Sequence, residues 1–84
     1  MSLMLIESTV SGEEVDLVFL TNNGVRLVRG SRDEVARLAL LMRQTAVLAN
    51  LIDTEEWLDE VAVGETCFTF GLLDGRPRVR ISSV

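Results

Sequence analysis

An α+β fold, with an antiparallel sheet of about five strands carrying one long helix on a single face, follows from three observations on the 84-residue chain. Strand-like runs punctuated by Ser11-Gly12 and Asn23-Gly24 fill the first third, residues 31–52 carry a helical period, and a hairpin pattern turning at Asp74-Gly75 closes the chain. No linker, low-complexity tract or internal repeat interrupts the sequence, so one domain over 1–84 is expected.

The first runs are Leu3 to Val10, Val15 to Thr21 and Val25 to Arg29, most simply a meander. Asn-Gly suits a two-residue turn because both central positions need positive φ. With Asn23-Gly24 as that turn, Asn22 pairs with Val25, Leu20 with Leu27 and Phe19 with Val28. One face then carries Val15, Leu17, Phe19 and Val28, and the other Val18, Leu20, Val25 and Leu27. Both faces are apolar, so both want cover.

Ser31 and Glu34 form a capping-box pair that starts the helix, and Asp33 and Glu34 suit the positive end of its dipole. At about 100° per residue, Val35, Leu38, Ala39, Met42, Ala46 and Ala49 make a core stripe. Leu41, Leu48 and Ile52 extend it on one flank, while Leu40, Val47 and Leu51 form a ridge on roughly the opposite side. A monomer leaves that ridge in water. Asn50 and Asp53 are the stop signals.

Residues 53–61, DTEEWLDEV, support two readings. Thr54 as N-cap, followed by Glu55 and Glu56, favours a short helix over 54–61, whereas alternation of Trp57, Asp59, Val61 and Val63 suits a strand. The capping pattern tips the expectation towards the helix. The final hairpin runs from Thr66 to Leu73 and from Arg76 to Ser82, with Leu73 opposite Arg76. Phe68, Phe70, Leu72, Val79 and Ile81 share its core face, and Thr69, Arg76, Arg78 and Arg80 the other. Pro77 makes the last strand an edge.

A hydrophobic content of 48% and a mean hydropathy of +0.30 are high for so small a chain, in which surface is large relative to volume. Membrane insertion does not account for it. The longest apolar stretch, residues 35–52, contains Arg37, Arg43, Gln44 and Asn50, and the opening MSLMLIESTV has no basic start, so cytoplasmic residence is expected. The net charge of −5 disfavours nucleic acid and anionic membranes as partners. One cysteine rules out an intramolecular disulfide.

Catalytic chemistry has little to work with. The chain has no His, Tyr or Lys, and no glycine-rich phosphate loop, so neither an enzyme nor a cofactor or metal is expected. The acidic run Asp53, Glu55, Glu56, Asp59 and Glu60 lacks the alternating ligands and central Gly of a calcium loop. Cys67 shares the arginine face but has no His to activate it. Arg76, Arg78 and Arg80 point one way and are suited either to carboxylate or phosphate, or to protecting a sheet edge from aggregation. No aromatic residue interleaves with them, and Trp57 is expected to close the core. Glu55 and Glu56 are candidate charged contacts for the arginines across a subunit interface.

The resulting expectation is a small, non-enzymatic protein-interaction module that self-associates as a homodimer or higher oligomer. Its candidate interface residues are Leu40, Val47, Leu51, Leu48, Val18, Leu20 and Leu27. The alternative is an acidic inhibitor or regulator that occupies a basic surface of a target protein, in the manner of phage proteins or antitoxins.

Overall fold

The computed structural model describes residues 3–84; Met1 and Ser2, which begin the segment read above for a leader, lie outside them. The chain order is β1 (Leu3–Ser11), β2 (Glu14–Thr21), β3 (Gly24–Ser31), α1 (Arg32–Ala49), β4 (Glu56–Val63), β5 (Thr66–Leu73) and β6 (Arg76–Ser83). The class is α+β as expected, but the strands form two three-stranded antiparallel sheets, β1-β2-β3 and β4-β5-β6, rather than one of about five.

The extra strand is β4, where a short helix over 54–61 was expected. A helix that short is marginal on its own because nucleation is costly. As a strand, the same residues gain a ladder with β5 and bury Val61 and Val63. The Thr54 hydroxyl donates to Glu56 Oε1 instead of capping a helix.

The first hairpin also departs from expectation. Its loop is Asn22-Asn23, with Thr21 opposite Gly24 and Leu20 opposite Val25, a slip of two residues. The Thr21 hydroxyl accepts from the Asn23 N–H at 3.1 Å and donates to the Gly24 carbonyl at 2.9 Å, while Gly24 takes φ 105° with neither Asn at positive φ. A slip of two preserves the faces, because side chains alternate with period two. Val15, Leu17, Phe19 and Val28 therefore remain together and are buried. The last hairpin has the expected register, Leu73 opposite Arg76, with Asp74 and Gly75 both at positive φ.

The helix begins at the expected box: Glu34 N–H donates to Ser31 Oγ at 3.1 Å and Ser31 N–H to Glu34 Oε1 at 2.9 Å. It stops at Ala49, with Asn50 as C-cap, short of Ile52. Its buried positions are Leu38, Leu41, Thr45 and Ala49, so the core stripe is rotated from the expected one and Ala39, Met42 and Ala46 face outward. Thr45 is tolerated there because its hydroxyl donates to the Leu41 carbonyl at 2.7 Å.

One core joins the three layers. Val15, Leu17, Phe19 and Val28 of the first sheet meet Leu38 and Leu41 of α1 and Val61, Val63, Phe68 and Phe70 of the second. The Phe19 and Phe68 rings lie 5.7 Å apart and tilted. Gly64, at φ 59°, sets the β4–β5 turn against the backbone carbonyl of Arg29 in β3, leaving no room for a Cβ.

A repeat is present in the geometry although the sequence hides it. When Gly12 is matched to Gly64, the two meanders share strand pairing throughout. The first turn of each is Gly-Glu, Gly12-Glu13 and Gly64-Glu65, and each has a bulge at the same place, between Leu5 and Glu7 in β1 and between Trp57 and Asp59 in β4. Register is a property of turns and ladder hydrogen bonds, so it persists with few identical side chains.

Candidate interaction surface

Two surfaces stand out, one charged and one apolar. The charged surface is the outer face of β4-β5-β6. Trp57 lies opposite Gly71, which in turn lies opposite Arg78, and Thr69 lies opposite Arg80. With no side chain on Gly71, the indole crosses the central strand; a Cβ there would stand 2.7 Å from its ring. The Arg78 guanidinium sits 3.9 Å from the ring centroid and that of Arg80 4.6 Å. An aromatic residue therefore does sit among the arginines, and Trp57 lies on this face, 39% exposed, instead of closing the core. The contact spans three strands, so no linear spacing announces it.

Arg78 also approaches Glu55 Oε1 at 3.9 Å, so the arginine row and the acidic run meet within one chain, a contact that needs no subunit interface. Arg76 and Glu56 are exposed without a described ion pair. Cys67 lies on the same face, half-buried, its Sγ 3.7 Å from Glu60 Oε2. Arg78 and Arg80 face an indole that already occupies part of their surface, which fits these groups to hold the sheet face together.

The other ionic features are structural. Arg29 grips Asp16 through Nε at 2.6 Å and Nη2 at 3.1 Å, and the hydrogen bond holds the Asp16 carboxyl below its ordinary range. Hydrogen bonds from the Ser31 and Gly64 N–H groups hold Glu34 low in the same way. Glu13, Glu14, Glu34 and Glu65 rim an open groove where the two Gly-Glu turns come together. Among the described residues no group of three or more His, Cys, Asp or Glu is placed to hold a metal ion.

The second surface is apolar. On the outer face of the first sheet, Leu20, Val25 and Leu27 are exposed, Leu27 to 75%, and Val18 is half-buried. β1 adds Met4 beside Leu20 on this face, whereas Leu5 and Val10, opposite Phe19 and Val15, lie on the inner side and stay about half exposed at the sheet edge, as does Ile6 at the bulge; the sequence reading passed over them. On α1 and just beyond it, Leu40, Val47 and Leu51 are exposed, Leu51 to 74%, whereas Leu48 turns partly inward with the rotated core stripe. Ala36, Ala39 and Ala46 continue the outward side of the helix, interrupted by the charge of Arg43.

Comparison with protein-family models, with curated proteins and with solved structures yields no match to this chain. No helix among the described residues is long and apolar enough to cross a membrane.

Proposed function

We propose that the protein is a small interaction module that acts by docking and associates with itself. The observation that carries this reading is the exposed apolar surface on two separate elements, the outer face of β1-β2-β3 and the outward side of α1. Scattered apolar residues are ordinary on protein surfaces, but contiguous patches on a chain this small mark contact sites. Among the described residues the one thiol sits by a carboxylate, and Arg78 and Arg80 lie against Trp57. Light scattering across micromolar concentrations tests the reading. A mass above that of one chain supports it, and a strict monomer with Leu27 and Val47 in water contradicts it.

A second reading has its own observation. The Glu13 and Glu65 turns line one groove with Glu14, whose carboxylate lies 3.7 Å from Arg29, and Glu34, which is held by backbone N–H groups. Glu13 and Glu65 are therefore the carboxylates that an acidic decoy would present to a basic surface. Salt separates the two: binding through carboxylates weakens steeply as salt rises, and apolar docking does not.

A further inference from the structure

We infer that the outer face of β1-β2-β3 is covered by helix α1 of a second copy of this chain, with Arg43 of one copy reaching Glu7 of the other. The inference rests on the self-association reading and specifies its geometry. Its starting point is the matched register of the two meanders. Under that match, Val18 corresponds to Phe70, Leu20 to Leu72 and Leu27 to Val79. In the second meander these side chains form the covered face: Phe70 and Leu72 are 4% and 0% exposed, and Phe70 belongs to the core shared with α1. In the first meander the equivalent residues form the open face, with Leu20 at 44% and Leu27 at 75%. At these three positions the first sheet presents apolar side chains that the second covers, without a helix on them. Elsewhere on that face Phe68 and Ile81 are replaced by the ion-paired Asp16 and Arg29, and Val61 and Val63 by Thr9 and Ser11.

Charge carries the same correspondence. Just after its bulge, the second meander has Asp59 opposite Phe70, and Asp59 accepts from Nη2 of Arg37 on α1 at 3.5 Å. Just after the equivalent bulge, the first meander has Glu7 opposite Val18, and Glu7 has no ion pair with any described residue. The outward side of α1 carries Arg43, likewise unpaired, between Ala39, Ala46 and Val47. An apolar ridge with one arginine is what the open face lacks, and α1 of a second copy has one to offer. A two-fold arrangement in which each α1 covers the other copy's sheet uses both surfaces once and closes, whereas a one-way arrangement would run on as a filament.

The test is sedimentation equilibrium on the full chain, with circular dichroism and Trp57 fluorescence as checks on folding, since Trp57 lies on the other sheet. Leu27→Glu and Val47→Glu are each expected to give folded monomers. Glu7→Arg and Arg43→Glu should each weaken association about tenfold by setting like charges together, and the double variant E7R/R43E should return to within about threefold of the parent chain. Because these charge changes lie on exposed positions, they keep the test decisive if Leu27→Glu disturbs folding. If Val47→Glu dissociates the assembly while Leu27→Glu leaves it intact, the helices meet each other and not the sheet; the inference then fails while self-association stands. Absence of recovery in the double variant also overturns the inference. A parent chain that is monomeric throughout overturns both it and the function proposed above.

Discussion

At the scale of single residues, two glycines fix what their neighbours can do. Gly64 combines a positive φ with backbone packed against Arg29, so Gly64→Ala should cost about 1–3 kcal/mol, measured by urea denaturation. A variant as stable as the parent would show that β3 and the β4–β5 turn are not in contact. Gly71 gives the Trp57 ring its path to Arg78 and Arg80. Gly71→Ala would crowd both the Glu56 backbone carbonyl and the indole, so it should strain the β4–β5 pairing, cost about 0.5–2 kcal/mol of cation–π attraction in addition and red-shift Trp57 emission as the ring enters water. Neither effect was legible in the sequence. The final hairpin alone aligns Gly71 with Arg78, but Trp57 joins them only once β4 is a strand, so with 54–61 taken as helical Trp57 is placed elsewhere.

At the scale of elements, local chemistry was legible wherever one short segment decided the outcome. The Ser31–Glu34 box starts α1 as its spacing requires, and Ser31→Ala should lower stability by about 1 kcal/mol in thermal denaturation. Glu34 adds a dependence on pH. Its folded carboxyl is held below the ordinary value of about 4.3, so its contribution is fully present above that value and is lost as pH falls through the depressed folded one. The melting temperature should level off above about pH 5 and decline below about pH 4, and Glu34→Gln should flatten part of that decline; an unchanged slope would remove Glu34 from the linkage. Where two local signals competed, tertiary structure decided. Acidic residues after Thr54 resemble a helix start, but pairing with β5 is worth more to an eight-residue segment than an unsupported helix. The same applies to the helix stripe. Thr45 reads as polar in sequence, yet its bond to Leu41 lets it lie in the core, and that rotates Met42 and Leu48 from their expected positions.

At the scale of the whole molecule, period-two alternation made the faces of each hairpin legible even where the register slipped, because a shift of two residues exchanges partners without exchanging faces. What alternation cannot reveal is which apolar face meets the rest of the chain. The first hairpin is apolar on both sides, and the structure buries Val15, Leu17 and Phe19 while leaving Leu20, Val25 and Leu27 open. That open face, together with Leu40 and Val47 on α1, is the observation from which self-association is proposed. The most direct test is sedimentation equilibrium of the unmodified chain from low to high micromolar concentration. A concentration-dependent shift from one chain to a closed dimer is the predicted result; a single-chain mass over the whole range would contradict the account.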